Sequence, residues 1–398
     1  MIQLFEQLIS SPIEFSDFAY NAADHKIDFL GKPALKQVTT KLLIAYVKDT
    51  YRACSYYHNL LDSHKISVSS IKNLDDFRKI PLLSPSRVNI IQPEELLPDT
   101  YLEAIKKGLS LRTLPPEARI AQKFSTSGSS GKPKVVYYTK RDWDNAQGAI
   151  MRALQHIPFQ DYSRTFNCFN PGHVAAPVFK DSLHKAGALV VSKHFTHTDE
   201  KLILNQMNSE YSHLGDFNCL AIPPCTPPGG VQKGGTLRAL LDNDTENIIG
   251  KNIRLIITTG APREHPSYKF NLIEEVHELN ELAGGKFKTK FVDFAGCAEV
   301  LPTMAECQNY GEGMHLLPGL TFTEVIDSET GEHVRDGERG LLVYTSLKYG
   351  SRYIRYVVGD EATYIEEPCS CGRTTSRIRN ISRVLDKSRL EGGCASGF

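Results

Sequence analysis

The chain has 398 residues, too many for one small domain and enough for a large α/β body with a smaller second unit. Lys plus Arg and Asp plus Glu both number 46, so a formal net charge of zero gives no electrostatic case for nucleic acid or an anionic membrane. Apolar residues make up 41%, no run approaches the roughly 20 that a membrane-spanning helix needs, and the opening Met1–Phe15 lacks the basic stretch of a secretory signal, so a cytoplasmic location is expected.

Helical spacing appears first. Leu35, Val38, Leu42, Tyr46, Ala53, Tyr57 and Leu60 recur at steps of three and four, with a gap at Thr50. Short β-branched runs then alternate with helical patterns. Strands are expected at Val135–Tyr138, Thr165–Phe169, Ala188–Val191, Arg254–Thr258 and Lys290–Phe294, and helices at Trp143–Leu154 and Tyr268–Leu282. Such alternation implies a mostly parallel sheet covered on both faces. The Pro-rich Pro223–Gly230 reads as a loop. After Glu299 the texture changes to strands at Leu320–Ile326, Leu341–Thr345 and Tyr353–Val358, joined by Asp327–Gly331 and Arg335–Gly340 turns. The expected fold class is therefore α/β, with a body over residues 1–300, a smaller antiparallel β subdomain over 301–385 and a flexible tail over 386–398.

The sharpest local signal is Phe124–Lys134. Gly128 and Gly131 can take positive φ and turn backbone N–H groups toward an anion. Ser127, Ser129 and Ser130 can donate to phosphate oxygens, and Lys132 and Lys134 add positive charge. Four intervening residues and a hydroxyl after the lysine would make a Walker A loop, but Pro133 and a strand-like run follow instead. On composition alone, a solvated Ser/Gly hairpin fits equally well.

Nine cysteines, an odd number, argue against a disulfide framework. Most read as small buried hydrophobes. Cys307, His315, Cys369 and Cys371 have the spacing Cys-x7-His…Cys-x-Cys. Three thiols and one imidazole suit a closed, structural, tetrahedral Zn²⁺ site, the alternative being unligated thiols around a turn.

Thr126 through Lys134 resembles the phosphate loop of the adenylate-forming superfamily, whose pattern is Thr-Ser-Gly, two hydroxyl residues, Gly, any residue, Pro, Lys. That family includes acyl-CoA synthetases, peptide-synthetase adenylation domains and firefly-type luciferases. The resemblance implies mixed sheets covered by helices, use of ATP with Mg²⁺, and a carboxylic acid substrate. It extends along the chain in order. Thr258–Pro262, with Gly260, Ala261 and Pro262, is similar to the segment that holds adenine. Asp293–Glu299 is similar to the family's Tyr-Gly-any-hydroxyl-Glu, implying that Glu299 holds Mg²⁺ beside the α-phosphate and that Gly296 borders the substrate. Here Ala295 replaces an adenine-stacking aromatic and Ala298 replaces the hydroxyl. Tyr356–Asp360 is similar to Tyr-Arg-Thr-Gly-Asp, so Asp360 is expected to take the ribose hydroxyls, with Arg383 as a second ribose contact. Phe169 and His173 fall where the family has its acyl-pocket wall and gate, although a lone histidine equally suits a structural role.

Cys369–Arg373, with Thr330–Gly331 and Asp336–Gly337 upstream, resembles the phenylacetate-CoA ligase branch, some members of which carry a metal site of this kind. Family members usually continue into a lid domain bearing a lysine for adenylation, and that domain is expected to be absent here. The tail Arg383–Phe398, with Gly393-Cys394-Ala395, resembles that of the lidless acyl-protein synthetase of bacterial luminescence. A lidless adenylating protein of phenazine antibiotic biosynthesis has a similar architecture. These likenesses imply that Lys134 and Glu299 serve adenylation, that Cys394 takes the acyl group, and that a partner acyl reductase receives it. A CoA ligase with its lid supplied by another chain, and a non-catalytic nucleotide-binding protein, remain the alternatives. The family is often dimeric, so a homodimer is among the expectations.

Overall fold

A computed structural model of the chain describes residue 15 and residues 25–125, 134–155, 157, 164–192, 200–210, 216–224, 236–259, 266–309 and 311–391. The chain divides into two compact units. The first draws on Met1–Ala146, Gly296–Thr303 and Leu316–Phe398; the second draws on Gln147–Ala295 and Met304–His315.

The first unit opens with the helix Lys32–Ala53, which begins with Pro33 in its first turn, where a missing N–H does no harm. Its apolar stripe of Val38, Leu42 and Tyr46 is buried, as the spacing predicts. The stripe does not run on unbroken to Leu60. Cys54 adopts an extended conformation, and a separate helix, Ser55–Ser63, follows. Strands β1 (Ile120–Ser125) and β2 (Val135–Thr139) form a small antiparallel sheet. The helix Lys140–Leu154 follows β2 directly. Thr139 and Asp142 cap its start reciprocally, Asp142 N–H donating to Thr139 Oγ1 at 3.1 Å and Thr139 N–H to Asp142 Oδ2 at 2.9 Å.

The second unit contains β3 (Arg164–Asn167), β4 (Leu189–Ser192), β5 (Cys219–Ala221), β6 (Leu255–Thr259), β7 (Lys290–Ala295), β8 (Met304–Ala305) and β9 (Met314–Leu316, its last residue belonging to the first unit). The first five are parallel in the order β7-β6-β5-β3-β4, and β8 runs antiparallel to β7. Parallel strands buried on both faces need apolar residues at successive positions, which explains runs such as Leu255-Ile-Ile257. Phe166, Leu220, Ile256 and Phe291 form one core with Leu240, Ile249 and Val276 from the covering helices. β5, three residues long, carries too little alternation to be read from sequence.

Back in the first unit, β10 (Thr321–Ile326), β11 (Arg339–Ser346), β12 (Tyr356–Ile365) and β13 (Arg377–Arg383) make an antiparallel meander. The expected strand at Tyr353–Val358 starts three residues late. Arg355 sits at φ 50°, which a strand cannot accommodate. The class is the expected one, a mixed α/β protein with helix-covered strands and a small antiparallel sheet. Among the described residues no helix is long and apolar enough to cross a membrane.

Candidate active site

In the first unit, Lys134 immediately precedes β2, Glu299 lies in the segment Gly296–Thr303, and Tyr356 begins β12. Lys134 Nζ donates to Tyr356 Oη at 3.0 Å and stands 3.9 Å from Glu299 Oε1. Tyr356 Oη in turn donates to Glu299 Oε1 at 2.8 Å. A buried carboxylate loses its hydration, and these neighbours offset that loss with one charge and one hydrogen bond. Burial raises the Tyr356 hydroxyl well above its ordinary value, and Glu299 adds to the shift, so the phenol stays protonated and able to donate.

The backbone under Glu299 is held as firmly as its side chain. Lys348 Nζ, buried, donates to the Glu299 carbonyl at 2.6 Å and lies 4.0 Å above the Tyr138 ring. Loss of hydration pulls the Lys348 pKa down to about 8, although Asp142, Cys297 and Glu299 act in the opposite sense. Tyr138 Oη donates to the Ala298 carbonyl. The Cys297 thiol is raised by burial first and by the neighbouring Glu299 second, which leaves it a poor nucleophile.

Asp142 ties the loop carrying Lys348 to the start of its helix. Beyond its capping role it accepts from Tyr349 N–H at 2.8 Å and Gly350 N–H at 2.9 Å. Gly350 has to be glycine, because a Cβ there would meet the Tyr137 carbonyl oxygen at 2.4 Å. Two non-glycine residues flank the cluster in the left-handed region, Leu301 at φ 47° and Arg355 at φ 50°. Such conformations cost on the order of 1–3 kcal/mol each and persist where the surroundings over-determine them. Arg355 is fixed by Glu324 at 3.1 Å and by the Ile80 carbonyl at 2.8 Å.

Asp360 and Arg383 face each other across the β12–β13 register and form an ion pair at 3.1 Å. Gly296 is half-buried, and a Cβ on it would meet Pro302 Cα at 3.2 Å.

In the second unit, Phe169 stacks on Phe179 with ring centroids 5.3 Å apart, and Phe179 meets Phe294 edge-on at 5.2 Å. All three rings are buried. His173 follows an Asn170-capped turn, and Ala175 N–H donates to its Nδ1 at 3.2 Å, which places the ring hydrogen on Nε2. The residue is exposed, yet enough protein surrounds the ring to lower its pKa through lost hydration. At the carboxyl ends of β6 and β7, where parallel sheets present ligands, Thr258 Oγ1 donates to Asp293 Oδ1 at 2.9 Å.

The four metal-type residues are Cys307, His315 and Cys369, all buried, and Cys371, half-buried. Asn309 N–H donates to Cys307 Sγ at 3.4 Å, and Gly372 at φ 87° closes a turn after Cys369 with a 3.0 Å bond to its carbonyl. Three thiols and one imidazole are a donor set compatible with Zn²⁺.

Ser127, Gly128, Ser129, Ser130, Gly131 and Lys132 of the phosphate loop, Gly260, Ala261 and Pro262, and Cys394 all lie outside the described residues. Lys348 and Asp142 were not singled out from sequence. The Thr139-x-x-Asp142 cap was legible before a helical run. For Lys348 the only local hint is a lysine between Leu347 and Tyr349, just past an apolar strand.

No protein-family model matches the chain. It is similar to the phenylacetate-coenzyme A ligase of Thermus thermophilus, with 24% identity over 355 residues covering 87% of this chain and 69% of that one. The phenylacetate-coenzyme A ligase of Escherichia coli K12 is 22% identical over 381 residues, 88% of this chain and 71% of that one. Among solved structures, an open conformation of 2-hydroxyisobutyryl-CoA ligase, in complex with 2-HIB-AMP and CoA, has the same fold, with a TM-score of 0.71 at 15% identity over 94% of this chain and 82% of that one. In sequence the chain is similar to phenylacetate-coenzyme A ligases, and in fold to a 2-hydroxyisobutyryl-CoA ligase.

Proposed function

We propose that this protein is an acid-adenylating ligase, using ATP to convert a small carboxylic acid into an acyl-adenylate. The observation that carries this reading is the contact of Lys134, last residue of the phosphate-loop motif, with Tyr356 and Glu299. In the reaction a carboxylate oxygen attacks the α-phosphorus of ATP in line, and the bond to pyrophosphate breaks. Such a step needs alignment and charge neutralisation rather than a protein nucleophile. Lys134 offers its ammonium to the phosphate oxygens, Tyr356 orients the Glu299 carboxylate, and Lys348 fixes the backbone beneath it. Asp360, held by Arg383, is the acceptor for the ribose hydroxyls. Glu299 is the residue that would hold Mg²⁺, which when bound supplies further positive charge at the phosphates. ATP–pyrophosphate exchange over a panel of aromatic and fatty acids tests the reading. Exchange with at least one acid is expected, whereas nucleotide binding without exchange for any acid would favour a non-catalytic binding protein.

The buried Phe169–Phe179–Phe294 stack supports an aromatic acid, with His173 at its gate. For the acceptor, the names of the relatives support coenzyme A.

Results

Sequence analysis

The chain has 398 residues, too many for one small domain and enough for a large α/β body with a smaller second unit. Lys plus Arg and Asp plus Glu both number 46, so a formal net charge of zero gives no electrostatic case for nucleic acid or an anionic membrane. Apolar residues make up 41%, no run approaches the roughly 20 that a membrane-spanning helix needs, and the opening Met1–Phe15 lacks the basic stretch of a secretory signal, so a cytoplasmic location is expected.

Helical spacing comes first. Leu35, Val38, Leu42, Tyr46, Ala53, Tyr57 and Leu60 recur at steps of three and four, with a gap at Thr50. Short β-branched runs then alternate with helical patterns. Strands are expected at Val135–Tyr138, Thr165–Phe169, Ala188–Val191, Arg254–Thr258 and Lys290–Phe294, and helices at Trp143–Leu154 and Tyr268–Leu282. Such alternation implies a mostly parallel sheet covered on both faces. The Pro-rich Pro223–Gly230 reads as a loop. After Glu299 the texture changes to strands at Leu320–Ile326, Leu341–Thr345 and Tyr353–Val358, joined by turns at Asp327–Gly331 and Arg335–Gly340. The expected fold class is therefore α/β, with a body over residues 1–300, a smaller antiparallel β subdomain over 301–385 and a flexible tail over 386–398.

The sharpest local signal is Phe124–Lys134. Gly128 and Gly131 can take positive φ and turn backbone N–H groups toward an anion. Ser127, Ser129 and Ser130 can donate to phosphate oxygens, and Lys132 and Lys134 add positive charge. A Walker A loop needs four residues between its glycines and a hydroxyl after the lysine, but here Pro133 and a strand-like run follow. On composition alone, a solvated Ser/Gly hairpin fits equally well.

Nine cysteines, an odd number, argue against a disulfide framework. Most read as small buried hydrophobes. Cys307, His315, Cys369 and Cys371 have the spacing Cys-x7-His…Cys-x-Cys. Three thiols and one imidazole suit a closed, structural, tetrahedral Zn²⁺ site, the alternative being unligated thiols around a turn.

Thr126 through Lys134 resembles the phosphate loop of the adenylate-forming superfamily, whose pattern is Thr-Ser-Gly, two hydroxyl residues, Gly, any residue, Pro, Lys. That family includes acyl-CoA synthetases, peptide-synthetase adenylation domains and firefly-type luciferases. The resemblance implies mixed sheets covered by helices, use of ATP with Mg²⁺, and a small carboxylic acid as substrate. It extends along the chain in order. Thr258–Pro262, with Gly260, Ala261 and Pro262, is similar to the segment that holds adenine. Asp293–Glu299 is similar to the family's Tyr-Gly-any-hydroxyl-Glu, implying that Glu299 holds Mg²⁺ beside the α-phosphate and that Gly296 borders the substrate. Here Ala295 replaces an adenine-stacking aromatic and Ala298 replaces the hydroxyl. Tyr356–Asp360 is similar to Tyr-Arg-Thr-Gly-Asp, so Asp360 is expected to take the ribose hydroxyls, with Arg383 as a second ribose contact. Phe169 and His173 fall where the family has its acyl-pocket wall and gate, although a lone histidine equally suits a structural role.

Cys369–Arg373, with Thr330–Gly331 and Asp336–Gly337 upstream, resembles the phenylacetate-CoA ligase branch, some members of which carry a metal site of this kind. Family members usually continue into a lid domain bearing a lysine for adenylation, and that domain is expected to be absent here. The tail Arg383–Phe398, with Gly393-Cys394-Ala395, resembles that of the lidless acyl-protein synthetase of bacterial luminescence. A lidless adenylating protein of phenazine antibiotic biosynthesis is similar in architecture. These likenesses imply that Lys134 and Glu299 serve adenylation, that Cys394 takes the acyl group, and that a partner acyl reductase receives it. A CoA ligase with its lid supplied by another chain, and a non-catalytic nucleotide-binding protein, are the alternatives. The family is often dimeric, which puts a homodimer among the expectations.

Overall fold

A computed structural model of the chain describes residue 15 and residues 25–125, 134–155, 157, 164–192, 200–210, 216–224, 236–259, 266–309 and 311–391. The chain divides into two compact units. The first draws on Met1–Ala146, Gly296–Thr303 and Leu316–Phe398; the second draws on Gln147–Ala295 and Met304–His315.

The first unit contains the helix Lys32–Ala53, with Pro33 in its first turn, where a missing N–H does no harm. Its apolar stripe of Val38, Leu42 and Tyr46 is buried, as the spacing predicts. The stripe does not run unbroken to Leu60. Cys54 adopts an extended conformation, and a separate helix, Ser55–Ser63, follows. Strands β1 (Ile120–Ser125) and β2 (Val135–Thr139) form a small antiparallel sheet. The helix Lys140–Leu154 follows β2 directly. Thr139 and Asp142 cap its start reciprocally, Asp142 N–H donating to Thr139 Oγ1 at 3.1 Å and Thr139 N–H to Asp142 Oδ2 at 2.9 Å.

The second unit contains β3 (Arg164–Asn167), β4 (Leu189–Ser192), β5 (Cys219–Ala221), β6 (Leu255–Thr259), β7 (Lys290–Ala295) and β8 (Met304–Ala305), and most of β9 (Met314–Leu316). Five strands are parallel in the order β7-β6-β5-β3-β4, and β8 runs antiparallel to β7. Parallel strands buried on both faces need apolar residues at successive positions, which explains runs such as Leu255-Ile-Ile257. Phe166, Leu220, Ile256 and Phe291 form one core with Leu240, Ile249 and Val276 from the helices. β5, three residues long, carries too little alternation to be read from sequence.

Back in the first unit, β10 (Thr321–Ile326), β11 (Arg339–Ser346), β12 (Tyr356–Ile365) and β13 (Arg377–Arg383) make an antiparallel meander. The strand expected at Tyr353–Val358 begins later, at Tyr356, because Arg355 sits at φ 50°, outside the range of a strand. The class is the expected one: a mixed α/β protein with helix-covered strands and a small antiparallel sheet. Among the described residues no helix is long and apolar enough to cross a membrane.

Candidate active site

In the first unit, Lys134 immediately precedes β2, Glu299 lies in the segment Gly296–Thr303, and Tyr356 begins β12. Lys134 Nζ donates to Tyr356 Oη at 3.0 Å and stands 3.9 Å from Glu299 Oε1. Tyr356 Oη in turn donates to Glu299 Oε1 at 2.8 Å. A buried carboxylate loses its hydration, and these neighbours offset that loss with one charge and one hydrogen bond. Burial raises the Tyr356 hydroxyl well above its ordinary value, and Glu299 adds to the shift, so the phenol keeps its proton and can donate.

The backbone of Glu299 is anchored as well as its side chain. Lys348 Nζ, buried, donates to the Glu299 carbonyl at 2.6 Å and lies 4.0 Å from the centre of the Tyr138 ring. Loss of hydration pulls the Lys348 pKa down to about 8, although Asp142, Cys297 and Glu299 act in the opposite sense. Tyr138 Oη donates to the Ala298 carbonyl. The Cys297 thiol is raised by burial first and by the neighbouring Glu299 second, which makes it a poor nucleophile.

Asp142 ties the loop after Lys348 to the start of its own helix. Beyond its capping role it accepts from Tyr349 N–H at 2.8 Å and Gly350 N–H at 2.9 Å. Only glycine fits at position 350, because a Cβ there would meet the Tyr137 carbonyl oxygen at 2.4 Å. Two non-glycine residues near the cluster occupy the left-handed region, Leu301 at φ 47° and Arg355 at φ 50°. Such conformations cost on the order of 1–3 kcal/mol each and persist where the surroundings over-determine them. Arg355 is fixed by Glu324 at 3.1 Å and by the Ile80 carbonyl at 2.8 Å.

Asp360 and Arg383 face each other across the β12–β13 register and form an ion pair at 3.1 Å. Gly296 is half-buried, and a Cβ on it would meet Pro302 Cα at 3.2 Å.

In the second unit, Phe169 stacks on Phe179 with ring centroids 5.3 Å apart, and Phe179 meets Phe294 edge-on at 5.2 Å. All three rings are buried. His173 follows a turn capped by Asn170, and Ala175 N–H donates to its Nδ1 at 3.2 Å, which puts the hydrogen of the neutral ring on Nε2. The residue is exposed, yet enough protein surrounds the ring to lower its pKa through lost hydration. At the carboxyl ends of β6 and β7, where parallel sheets present ligands, Thr258 Oγ1 donates to Asp293 Oδ1 at 2.9 Å.

Of the four metal-type residues, Cys307, His315 and Cys369 are buried and Cys371 is half-buried. Asn309 N–H donates to Cys307 Sγ at 3.4 Å, and Gly372, at φ 87°, closes a turn with a 3.0 Å bond to the Cys369 carbonyl. Three thiols and one imidazole are a donor set compatible with Zn²⁺.

Ser127, Gly128, Ser129, Ser130, Gly131 and Lys132 of the phosphate loop, Gly260, Ala261 and Pro262, and Cys394 all lie outside the described residues. Lys348 and Asp142 did not stand out in the sequence. The Thr139-x-x-Asp142 cap was legible ahead of a helical run. For Lys348 the local hint is slight: a lysine between Leu347 and Tyr349, just past an apolar strand.

No protein-family model matches the chain. It is similar to the phenylacetate-coenzyme A ligase of Thermus thermophilus, with 24% identity over 355 residues, 87% of this chain and 69% of that one. The phenylacetate-coenzyme A ligase of Escherichia coli K12 is 22% identical over 381 residues, 88% of this chain and 71% of that one. Among solved structures, an open conformation of 2-hydroxyisobutyryl-CoA ligase, in complex with 2-HIB-AMP and CoA, shares the fold, with a TM-score of 0.71 and 15% identity over 94% of this chain and 82% of that one. In sequence the chain is similar to phenylacetate-coenzyme A ligases, and in fold to a 2-hydroxyisobutyryl-CoA ligase.

Proposed function

We propose that this protein is an acid-adenylating ligase, using ATP to convert a small carboxylic acid into an acyl-adenylate. The observation that carries this reading is the contact of Lys134, last residue of the phosphate-loop motif, with Tyr356 and Glu299. In the reaction a carboxylate oxygen attacks the α-phosphorus of ATP in line, and the bond to pyrophosphate breaks. Such a step needs alignment and charge neutralisation rather than a protein nucleophile. Lys134 offers its ammonium to the phosphate oxygens, Tyr356 orients the Glu299 carboxylate, and Lys348 fixes the backbone there. Asp360, paired with Arg383, is the acceptor for the ribose hydroxyls. Glu299 is the residue that would hold Mg²⁺, which when bound supplies further positive charge at the phosphates. ATP–pyrophosphate exchange over a panel of aromatic and fatty acids tests the reading. Exchange with at least one acid is expected; nucleotide binding without exchange for any acid would favour a non-catalytic binding protein.

The buried Phe169–Phe179–Phe294 stack supports an aromatic acid, with His173 as its gate. For the acceptor, the names of the relatives support coenzyme A. The Gly393-Cys394-Ala395 segment supports a second reading, in which the Cys394 thiolate attacks the acyl carbonyl, AMP leaves, and the thioester passes to a partner acyl reductase, as a step of antibiotic-type biosynthesis. Intact mass after incubation with ATP and acid separates the two. An acyl adduct lost in Cys394→Ser supports the relay, whereas acyl-CoA formation with no adduct supports coenzyme A. The same reading gives Cys307, His315, Cys369 and Cys371 one structural Zn²⁺, on the strength of donor chemistry and burial. Metal analysis of the purified protein is expected to find zinc, lost on Cys369→Ser; a metal-free, stably folded protein would refute it.

A further inference from the structure

Tyr356 reaches Glu299 from the first residue of β12, and the residue before it, Arg355, lies outside strand geometry at φ 50°. A residue with a Cβ keeps that conformation only where its surroundings impose it. Here they do so through hydrogen bonds. The buried Arg355 guanidinium holds Glu324 of β10 twice, Nε donating to Oε2 at 3.1 Å and Nη2 to Oε1 at 3.3 Å. Its Nη1 donates to the carbonyls of Ile80, at 2.8 Å, and of Arg78. The backbone is taken at both ends as well. Arg355 N–H donates to Thr345 Oγ1 at 3.0 Å, and its carbonyl accepts from Leu83 N–H at 2.9 Å.

The consequence falls on Tyr356. Tyr344 of β11 is its register partner on one side, and Leu83 bridges it in parallel on the other. Leu83 completes that bridge by accepting from Val357 N–H at 3.1 Å. Just upstream, backbone donors end on side chains: Tyr353 N–H on Ser346 Oγ at 3.1 Å and Ile354 N–H on Tyr57 Oη at 2.9 Å. Were φ at Arg355 to turn to the ordinary negative range, its N–H could not stay on Thr345 while its carbonyl stayed on Leu83. The phenol lies at the far end of a rigid side chain, so a small backbone rotation would carry Oη away from Glu299 Oε1, 2.8 Å distant.

We propose that Arg355 and Glu324 are positioning residues for adenylation, their buried ion pair locking the left-handed turn that aims the Tyr356 hydroxyl at Glu299 and Lys134. Neither touches a reacting atom; both act through Tyr356. This role rests on the acid-adenylating reading, whereas the aim of the phenol is a property of the free protein.

Arg355→Lys keeps a charge beside Glu324 but lacks the fork that bonds Glu324 and two carbonyls at once. It is expected to lower ATP–pyrophosphate exchange at saturating ATP at least about tenfold, with KM for ATP within about twofold. In a Tyr356→Phe background the same substitution should cost less than about twofold, because the hydroxyl it aims is already gone. In nucleotide-free crystals of Arg355→Lys, Tyr356 Oη should stand beyond about 3.5 Å from Glu299 Oε1. Equal losses in both backgrounds, undiminished exchange, or the contact retained at 2.8 Å would overturn the proposal. Should Arg355→Lys not fold, the paired variant Glu324→Gln/Arg355→Asn replaces it, since it leaves no unpaired buried charge and asparagine tolerates positive φ. Failure of both to fold would make the pair a purely structural element and overturn the proposal too. Absence of exchange in the wild-type protein with every acid would sink the adenylating reading instead, while the crystals still decide what aims Tyr356.

Discussion

The Glu299 cluster of the first unit and the Phe169–Phe179–Phe294 stack of the second are both buried, yet they are held in different ways. The stack needs apolar area and ring geometry, and a ring that shifts by a fraction of an ångström still packs. The Glu299 cluster has far less tolerance. Tyr356 Oη sits 2.8 Å from Glu299 Oε1, and Lys348 Nζ is 2.6 Å from the Glu299 carbonyl, so each donor is useful only at hydrogen-bonding distance. The contrast separates what holds the protein together from what equips it for chemistry. Apolar burial without directional bonds contributes mainly stability; directed polar contacts around a buried charge contribute mainly positioning.

Four substitutions break or sharpen that contrast. The largest stability loss is expected at Phe179→Ala, which removes both ring contacts and leaves a void; a cost of about 3–5 kcal/mol in urea unfolding follows from the usual price of such truncations. A loss below about 1 kcal/mol would mean that the stack closes over the gap. Glu299→Gln should do the reverse. Gln keeps an acceptor for Tyr356, so stability should hold, while adenylation measured by pyrophosphate exchange falls roughly 10²–10³-fold through lost electrostatic positioning. Wild-type exchange in that variant would remove Glu299 from the chemistry.

Lys348→Met probes the boundary between the two roles. The folded pKa of about 8 lies below the unfolded value near 10.4, so between those pH values the unfolded chain binds the proton and the folded chain does not. Wild-type stability relative to Lys348→Met should therefore rise with pH through that window, by up to about 3 kcal/mol, and stay level below pH 8. Denaturation midpoints of both proteins at pH 7 and pH 9.5 check this, and a difference that does not change would place the lysine's titration elsewhere. Tyr356→Phe is the mildest change. Losing one hydrogen bond to a carboxylate should cost about 1.5–3 kcal/mol of transition-state positioning at most, read as a roughly tenfold or larger fall in exchange with little change in unfolding midpoint. Equal falls in both would make the tyrosine a packing residue.

Much of the frame was written locally. The three- and four-residue spacing of Val38, Leu42 and Tyr46 predicts a buried helix face, and that face is buried. β-branched runs such as Leu255-Ile-Ile257 predict strands covered on both sides, and they lie in the parallel sheet. Where local signal was thin, boundaries moved: β5 is too short to show a period, and β12 begins at Tyr356 because tertiary bonds force Arg355 to φ 50°. Asp360 and Arg383 stood out in the sequence as separate ribose candidates, but their pairing is a matter of β12–β13 register.

The sequence by itself determined the α/β class, the glycine–serine phosphate-loop motif and the Cys/His donor set, because periodicity, turn residues and ligand types are properties of short stretches of chain. Tertiary structure alone decided that Lys348 anchors the Glu299 backbone and that Asp142 gathers the Tyr349 and Gly350 N–H groups. Those outcomes depend on contacts between residues far apart in the chain. A hydrogen bond or a desolvated charge is set by ångström distances and by exclusion of water, and neither is encoded in the order of neighbouring residues.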